Sequence, residues 1–339
     1  MLTEKLSRVS IAHLPTPLEP LPRLTAQLGG PELWIKRDDQ TGLATGGNKA
    51  RKLEFLVADA LAQGADTLIT GGAAQSNHAR QTAAAAAKLG LACALVLRCP
   101  EPVEGRGGEP SQVQGNLLLD RLLGAEVVWA GERPLDTAMA QVAEDLRAAG
   151  RQPYVIPYGG SNPIGASGYA AAMDELLVQC AERERTTGIR VNFEHVVFAS
   201  SSGGTQSGLA VGARALGYEG RILGISVDQP AVVLRSMLAD LATATADHLG
   251  LGFAFTPEDF AVNDDYLGGG YGVVGDLERE ALRVAARAEG VLLDPVYTGR
   301  AFGGLLDMVR HGAFHPGERV LFWHTGGTAG LFGYGERAL

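Results

Sequence analysis

"VVFASSSGGTQSGLAVGARAL", residues 196–216, joins a short apolar run to a loop rich in serine and glycine and then to a helix-like run. This order predicts a buried strand, a tight turn over residues 200–208 and a helix that begins near Leu209. Gly203 and Gly204 would let the backbone approach a ligand closely, and the N–H groups at a helix start can hold a phosphate. The loop does not match G-x-G-x-x-G, so it suits one phosphate monoester better than a pyrophosphate. By itself the stretch is equally compatible with a tight turn capped by serine.

The same alternation of strand-like and helix-like runs continues along most of the chain. The strand-like runs are "LWIK" from residue 33, "TLIT" at 67–70, "ACALVL" at 92–97, "EVVWA" from 126, "YVIPYG" from 154, "VVFA" from 196, "ILGISV" from 222 and "VLFWH" from 320. Repeated βα units predict an α/β fold, with mostly parallel sheet buried under helices on both faces. We expect a break between two sets of units at residues 158–170, where Gly, Ser, Asn and Pro accumulate. The polar stretch 99–112 is predicted to be a surface loop.

Composition limits the classes of function that need to be considered. The chain has 339 residues, of which 46% are hydrophobic and 20% charged, as is usual for a globular protein of about two domains. The net charge of −9 argues against a nucleic-acid surface or a polybasic membrane anchor. The N-terminus lacks the pattern of a signal peptide, and no apolar stretch approaches the roughly 20 residues that cross a bilayer. The three cysteines have no metal-ligand spacing and are an odd number for a disulfide framework. We therefore expect a cytoplasmic protein without a metal site.

A lysine follows Gly-Gly-Asn in "TGGNKARKLEFLVADAL", residues 45–61, just before a predicted helix. The apolar residues on one face of that helix are Leu53, Leu56, Val57, Ala60 and Leu61. By itself, a lysine beside two other cations is typical of a solvated surface. A P-loop needs lysine directly after its second glycine, whereas Asn48 intervenes here and Ala50 follows Lys49, which argues against a nucleoside triphosphatase.

Three further loops carry polar or aromatic side chains. In "TLITGGAAQSNHARQTAAAAA", residues 67–87, the segment 75–78 lies at a predicted helix start, where N–H groups and the helix dipole favour an anion such as a carboxylate. Simple capping by Ser76 or Asn77 explains the same pattern equally well. Tyr271 lies in a glycine-rich loop, and Tyr297 follows a strand-like run in "LLDPVYTGRA". Each tyrosine alone is more typical of a structural residue than of a catalytic one.

Taken together, a lysine, a monophosphate cup, a carboxylate cradle and two loop tyrosines indicate pyridoxal 5'-phosphate acting on an amino acid. In such enzymes a lysine forms a Schiff base with the cofactor aldehyde, and the ring accepts electrons. The lysine must be neutral to react, and burial near other cations lowers its pKa. Because Lys49 and the later glycine loops belong to different sets of βα units, we expect the site in the crevice between them.

The sequence resembles the family of D-cysteine desulfhydrase and 1-aminocyclopropane-1-carboxylate deaminase. The motifs "GGNKARKLEF", "QSNHARQTAA", "SGGTQSGL" and "DPVYTGRA" occur in the order of that family, and the likeness runs from residue 13 to residue 332. The resemblance implies a pyridoxal-phosphate enzyme of the tryptophan-synthase-β type, and we expect a homodimer. It also implies a smaller α/β domain of residues 48–160, and a larger cofactor-binding domain of residues 1–47 and 161–339.

The resemblance also implies roles for individual residues. Lys49 would form the Schiff base and, with Ser76, Tyr271 and Tyr297, would be catalytic. The predicted substrate-binding residues are Ser76, Asn77, His78, Tyr271 and Tyr297. The predicted cofactor-binding residues are Lys49, Asn77, Gly203, Gly204, Thr205, Gln206, Ser207 and Thr325.

Two threonines bear on which reaction the chain catalyses. In the deaminase branch of the family, glutamate stands at the position of Thr298 and leucine at that of Thr325. A carboxylate beside the pyridine nitrogen strengthens the electron sink that ring opening needs, whereas a threonine hydroxyl carries no charge. We therefore predict that Thr325 lies beside the pyridine nitrogen and that the reaction is α,β-elimination of D-cysteine to pyruvate, ammonia and hydrogen sulfide. An L-cysteate sulfo-lyase, the deaminase activity itself and an amino-acid sensor without turnover are the alternatives.

Overall fold

The computed structural model describes residues 2–99 and 110–339. Residues 100–109 of the predicted surface loop therefore lie outside the described residues. The strands are β1 (Leu18–Pro20), β2 (Glu32–Arg37), β3 (Thr67–Ala73), β4 (Ala92–Arg98), β5 (Glu126–Trp129), β6 (Pro153–Val155), β7 (His195–Ser200), β8 (Arg221–Ser226), β9 (Ala261–Asn263) and β10 (Arg319–His324). The helices are α1 (Pro22–Leu28), α2 (Lys49–Ala62), α3 (Asn77–Leu89), α4 (Gly115–Leu122), α5 (Leu135–Ala148), α6 (Pro163–Thr187), α7 (Gly204–Leu216), α8 (Ala231–His248), α9 (Asp276–Glu289), α10 (Thr298–Arg310) and α11 (Thr328–Tyr334).

Six strands form one sheet, in the order β1-β2-β10-β7-β8-β9. Only β1 runs antiparallel to its neighbour within this sheet, and the other pairs are parallel. The central strands are apolar along almost their whole length, because helices cover both of their faces. Val197 and Phe322 pack against α9 and α10 on one face, whereas Val196 and Leu321 pack against α6 and α7 on the other.

A second sheet holds four parallel strands, in the order β5-β4-β3-β6. Its core is built from the apolar side chains of β3 and β4 and from the alanines of α3, which let that helix lie close to the sheet. These four strands all come from residues 67–155, whereas the six-stranded sheet takes strands from both sides of that range. The predicted α/β architecture with mostly parallel sheets is confirmed.

Helix α2 packs on the four-stranded sheet, and buried charged side chains connect it to the six-stranded sheet. Arg51 of α2 donates to both oxygens of Asp38, at 2.8 and 2.9 Å, and to Glu175 of α6 at 2.8 Å. Asp38 also accepts from Tyr169 at 2.6 Å and from Trp323 of β10 at 2.8 Å. Burial alone would raise the pKa of Asp38, but the guanidinium of Arg51 outweighs it and lowers this pKa to about 2.

The glycine-rich stretch around residue 204 folds differently from the prediction. α7 begins at Gly204 rather than near Leu209. Gly203 precedes the helix with φ of 84°, a conformation that glycine adopts without strain. The polar residues 204–207 have the composition of a loop, yet they are buried and form the first helical turn.

Two other predictions were wrong. Leu61 was expected on the same face of α2 as the buried residues, but it is 41% exposed, whereas Ala60 beside it is fully buried. The strand-like run before Tyr297 forms no strand. Val291 and Leu293 are buried and Leu292 is exposed, as in a strand, but the carbonyl of Leu292 accepts from the ring of His324 instead of joining a ladder.

Candidate active site

A cavity lies between the two sheets, at the carboxyl ends of β3, β7 and β10. Open α/β sheets bind ligands at this edge. The cavity is lined by Asn48, Lys49, Ser76, Asn77, His78, Tyr158, Gly159, Ala199, Ser200, Ser201, Ser202, Gly203, Thr205, Tyr297, Thr325 and Gly326. No cluster of side chains suited to hold a metal ion occurs in the described part of the chain, and none of its helices is long and apolar enough to span a membrane.

Lys49 is the first residue of α2, and its amine points into this cavity. The Nζ atom donates to Asn48 Oδ1 at 2.9 Å, and Asn48 in turn donates to Thr205 Oγ1 at 3.1 Å. Burial and, to a smaller extent, the guanidinium of Arg80 lower the pKa of Lys49, Asp294 acts in the opposite direction, and the net result is a pKa of about 8. A lysine with this pKa is partly neutral near pH 7 and can act as a nucleophile or a base.

The loop before Lys49 is strained, and Arg80 holds it in place. Ala44 and Thr45 both adopt positive φ, at 41° and 70°, which costs free energy in residues with a Cβ. The buried guanidinium of Arg80 donates to the carbonyls of Ala44 and Gly46, the second at 2.8 Å. Arg80 therefore positions the backbone that leads to Lys49 as well as lowering the pKa of its amine.

The start of α3 forms the wall opposite Lys49. Ser76 is the N-cap, and its hydroxyl oxygen accepts from the N–H of Ala79 at 3.1 Å. Asn77 accepts from Asn116 at 2.9 Å through its side-chain oxygen, which leaves its amide N–H groups available. A hydroxyl that accepts can still donate, so capping does not prevent Ser76 from contacting an anion. Helix N–H groups and these side chains together can hold a carboxylate.

His78 lies one residue further along α3, and its ring is buried. Its Nε2 atom lies 2.9 Å from the hydroxyl of Thr70, and its Nδ1 atom has no hydrogen-bond partner within the described residues. Burial lowers the pKa of His78 well below its usual value, and the charges of Lys49 and Lys52 lower it further. His78 is therefore neutral at physiological pH and can orient a substrate without adding charge.

The N-terminus of α7 lies at the cavity, where a helix start can hold an anion. The N–H of Gly204 donates to Ser161 Oγ at 3.2 Å, and Ser161 and Ser202 share a hydrogen bond of 2.8 Å. A Cβ at Gly204 would lie 2.7 Å from Nζ of Lys52, so the glycine is what lets this lysine approach the helix start. Burial lowers the pKa of Lys52 well below its usual value, and Lys49 contributes to the shift.

The predicted phosphate-binding residues contribute unequally to the cavity. Gly203 and Thr205 line it. The side chains of Gln206 and Ser207 point elsewhere, since they donate to Ala261 O at 2.8 Å and to Leu238 O at 3.0 Å. The N–H of Gln206 belongs to the first turn of α7 and can be offered to a phosphate, whereas the N–H of Ser207 already donates to the carbonyl of Gly203 at 2.9 Å.

Three tyrosines gather at one side of the cavity. The hydroxyls of Tyr271 and Tyr297 lie 2.5 Å apart, and the hydroxyl of Tyr158 interacts with both. Tyr271 is 37% exposed, but its hydroxyl is turned inward toward the other two. Burial raises the pKa of all three phenols, and their mutual proximity raises those of Tyr271 and Tyr297 further. The phenols therefore keep their protons and can act as donors.

The two threonines that bear on the reaction type occupy different places. Thr325 lines the cavity, whereas Thr298 is buried beneath it. Thr298 Oγ1 donates to Asp294 Oδ1 at 2.8 Å, and Asp294 also accepts from the N–H groups of Val296, Tyr297 and Thr298. Asp294 is thus committed to holding the turn that carries Tyr297. No carboxylate is among the residues that line the cavity within the described chain.

The residues present fit a pyridoxal phosphate. The cavity offers one amine of lowered pKa and, at its other end, a helix N-terminus with Lys52 for a phosphate. Two buried polar atoms of the lining, Ser200 Oγ and His78 Nδ1, have no hydrogen-bond partner in the described part of the chain. Buried polar groups are normally paired, so unpaired ones in a cavity indicate a ligand.

Several residues at or beside this cavity were not among the predicted site residues, and three of them bear on its chemistry. Lys52 had a signal, because it lies three residues after Lys49 and so faces the same side of a helix. Asp294 had a weaker one, since an aspartate before Pro and a helix start is typical of a turn. Tyr158 had none, because only the fold brings the end of β6 next to the tyrosine loops.

Comparisons with known proteins agree with this fold and with a pyridoxal-phosphate cofactor. The model of the "Pyridoxal-phosphate dependent enzyme" family matches residues 9–326. The D-cysteine desulfhydrases of Salmonella choleraesuis and Salmonella typhi are each 45% identical to the chain over 328 residues, which is 96% of this chain and 96% of theirs. A crystal structure described as an ACC deaminase homologue is 40% identical, with a TM-score of 0.87 over 99% of this chain and 97% of that one. The processed form of threonine deaminase isoform 2 from Solanum lycopersicum shares the fold, with a TM-score of 0.60 over 92% of this chain and 79% of that one at 17% identity.

Proposed function

Because the chain belongs to the pyridoxal-phosphate dependent enzyme family, we propose that it eliminates hydrogen sulfide from D-cysteine and yields pyruvate and ammonia. One observation carries the proposal: a single cavity joins an amine of lowered pKa, a helix start that has Lys52 beside it, polar groups that can hold a carboxylate, and protonated phenols. The relatives named D-cysteine desulfhydrase, which match nearly the whole chain, support the choice of substrate.

The proposed roles follow the walls of the cavity. Lys49 binds the cofactor through its amine and, once the substrate has taken its place, removes the proton from the α-carbon. The start of α7, from Gly203 to Ser207, holds the cofactor phosphate through the N–H groups that its first turn leaves without a helical partner, and Lys52 neutralises the phosphate charge. When bound, the cofactor accepts the electrons released at the α-carbon.

The substrate side of the site is assigned in the same way. Ser76, Asn77 and His78 bind the α-carboxylate, with Asn77 also near the ring hydroxyl of the cofactor. Tyr271 and Tyr297 face the substrate side chain, and Tyr297 is the closer to the leaving group. Thr325 lies at the pyridine nitrogen.

The absence of a carboxylate from the described lining favours elimination over ring opening. Neither a threonine hydroxyl nor the other side chains of the cavity can supply a negative charge to a pyridine nitrogen. Asp294 is close, but four hydrogen bonds to the turn at residues 296–298 occupy its oxygens. Departure of a thiol needs less electron withdrawal than cleavage of a carbon–carbon bond.

A substrate panel tests this function. The purified protein with its cofactor should release pyruvate and sulfide from D-cysteine faster than it releases sulfite from L-cysteate or a four-carbon oxo acid from 1-aminocyclopropane-1-carboxylate. Faster release of sulfite would favour a sulfo-lyase instead. Pyruvate from none of these amino acids would refute the proposal.

Covalent labelling tests the assignment of the amine. Borohydride reduction of the protein with its cofactor should fix the label on the peptide that contains Lys49, at Lys49 itself. Lys49→Ala should abolish labelling and reduce kcat by several orders of magnitude, because it removes the attachment point and the base together. A label on Lys52, which is also buried and of lowered pKa, would overturn the assignment.

We also propose the division into domains, the assembly and the location. Residues 48–160, which supply all strands of the smaller sheet, form one domain, and residues 1–47 with 161–339 form the other.

A homodimer is supported by exposed apolar side chains on α8, where Val232 and Val233 are 76% and 50% exposed. The free cysteines suit a cytoplasmic protein. Light scattering that gives the mass of one chain would exclude the dimer.

A further inference from the structure

Tyr158 adds a third phenol to the pair that the motifs contain. It follows β6, the last strand of the smaller sheet, and it lines the cavity. Its hydroxyl interacts with those of Tyr271 and Tyr297 and with that of Ser201. The cradle of α3 and the anion site of α7 account for two sides of the cavity, so the phenols are left to face the substrate side chain.

The carboxyl group of Asp228 is linked to Tyr158 through the hydroxyl of Ser201. Ser201 Oγ donates to Asp228 Oδ2 at 2.8 Å, and Asp228 lies just after β8. The other oxygen, Oδ1, is buried and has no hydrogen-bond partner in the described residues, so it can carry a proton. Burial raises the pKa of Asp228, while Ser201 and the cation of Arg300 oppose the shift. With the proton on Oδ2, the carboxyl donates to Ser201 and the Ser201 hydroxyl donates to the phenols, so the path runs from Asp228 through one hydroxyl.

We propose that Tyr158 is a catalytic residue that protonates the departing group, and that Asp228 resupplies its proton through Ser201. This inference rests on the proposed elimination. Lys49 takes the proton from Cα, the Cα–H electrons end in the new Cα=Cβ bond, and the Cβ–S bond breaks with its pair on sulfur. The leaving HS⁻ takes the proton of Tyr158 and departs as H₂S. Solvent reprotonates Asp228 and receives the proton of Lys49, and one water is consumed as pyruvate and ammonia form.

Leaving groups of different basicity test the path. Chloride is the conjugate base of a strong acid and needs no proton, whereas HS⁻ benefits from one. Tyr158→Phe should therefore lower kcat for D-cysteine by about 10²-fold, the lower end of general acid catalysis, but should leave kcat for β-chloro-D-alanine nearly unchanged. Asp228→Asn should also lower kcat for D-cysteine more than kcat for β-chloro-D-alanine, but by a smaller factor than Tyr158→Phe.

Controls separate the chemistry from the fold. Asp240→Asn changes an exposed carboxylate on α8 that does not face the phenols, and it should leave both rates unaltered. The absorbance of the bound cofactor and the midpoint of thermal unfolding check that each variant is folded. If Tyr158→Phe does not fold, Ser201→Ala interrupts the same path, and it should likewise lower kcat for D-cysteine more than kcat for β-chloro-D-alanine.

The outcomes distinguish the inference from the function on which it rests. Equal losses for the two substrates in Tyr158→Phe, or no loss for either, would overturn the role of Tyr158 while elimination by the unmodified protein still stood. Pyruvate from neither substrate with the unmodified protein would refute both. An unequal loss in Tyr158→Phe without one in Asp228→Asn or Ser201→Ala would overturn the resupply path.

Discussion

At the scale of single residues, Lys49 owes the pKa of its amine to burial and to Arg80, a cation fixed by the strained loop that it holds. Arg80 itself is buried beside Asp120, whose carboxylate oxygens have no hydrogen-bond partner within the described chain. Burial raises the pKa of Asp120 to about 8, so that this carboxyl is largely neutral near pH 7 and leaves the charge of Arg80 little opposed. The positive charge of Arg80 therefore acts on the amine of Lys49 in the cavity.

The rate of cofactor capture should follow this pKa. Only the neutral amine attacks an aldehyde, so the apoprotein should bind pyridoxal phosphate faster as the pH rises, with a midpoint near 8. Arg80→Met removes the repelling cation and should move the midpoint to higher pH, whereas Arg80→Lys keeps the charge and should leave it close to 8. Stopped-flow absorbance from pH 6 to pH 10 provides the measurement. An unchanged midpoint in Arg80→Met would contradict the electrostatic account.

Thr325 and Thr298 should differ in what their substitution does. The unmodified protein should open 1-aminocyclopropane-1-carboxylate at least about 100-fold more slowly than it eliminates from D-cysteine, a barrier difference of about 2.7 kcal/mol. Thr298→Glu and Thr325→Leu together restore the deaminase pattern and should raise ring opening at the expense of desulfhydration. Thr298→Glu alone should lower the unfolding temperature, because its carboxylate would be buried against Asp294. Brisk ring opening by the unmodified protein would contradict this prediction.

The sequence predicted the site residues that lie in motifs, but not those that only the tertiary structure brings to the cavity. Lys49, Ser76, Tyr297 and Thr325 were expected at one place, and the structure puts them around one cavity, although their roles stay predictions. Tyr158 could not be expected, because Tyr271 and Tyr297 lie more than 100 residues away from it along the chain and only the packing of two sheets brings them near. Motifs reveal residues that act through local sequence, and they miss those that tertiary contacts recruit.

At the scale of elements, the start of α7 shows why composition misled. Three of the residues 204–207 are Gly, Thr and Ser, which disfavour a helix in isolation, but here Gln206 and Ser207 bond to neighbouring carbonyls and the helix starts early. Tertiary contacts override the local preference. The early start places the free N–H groups beside Lys52 and Ser161, where a phosphate would use them.

Gly204→Ala should therefore weaken the cofactor site rather than the helix. Alanine has the higher helix propensity, but its Cβ would lie 2.7 Å from both Lys52 Nζ and Ser161 Oγ. We expect the dissociation constant for pyridoxal phosphate to rise by at least about tenfold, or roughly 1.4 kcal/mol. Gly275→Ala, at the N-cap of α9 and with φ of −103°, is the matched control and should leave it unchanged. Equal affinities in the two variants would show that nothing binds at the start of α7.

At the scale of the whole molecule, the alternation of strands and helices was enough to predict the fold class but not the order of the strands. Each apolar run shows that its strand is buried, yet β2 and β10 pair although about 280 residues separate them. Which strands become neighbours in a sheet depends on how the helices and strands pack together, and the sequence of one apolar run does not contain that information. The antiparallel β1 was not expected for the same reason, since its three residues carry no periodic signal.

The charge cluster around Asp38 should prove to be what holds α2 to the six-stranded sheet. Asp38→Asn replaces one acceptor oxygen by an amide that faces the donors of Arg51, Tyr169 and Trp323, so Arg51 loses a buried partner. We expect the free energy of unfolding to fall by about 3–5 kcal/mol at pH 7, as when one member of a buried ion pair is removed. Asp66→Asn is the control, because its pair with Arg151 is 42% exposed on both sides and solvent screening leaves such a pair little effect on stability.

Acid should remove the difference between the unmodified protein and Asp38→Asn. The pKa of Asp38 is lowered in the fold to about 2, so the stability that its charge contributes is present above the ordinary aspartate pKa and is lost as the pH falls through 2. Denaturant unfolding of both proteins at pH 7, 4 and 2.5 should therefore show a gap that narrows only below pH 4. A gap no larger than that of Asp66→Asn, or one that is constant with pH, would mean that packing of α2 against α6 and not the charge of Asp38 joins the two sheets.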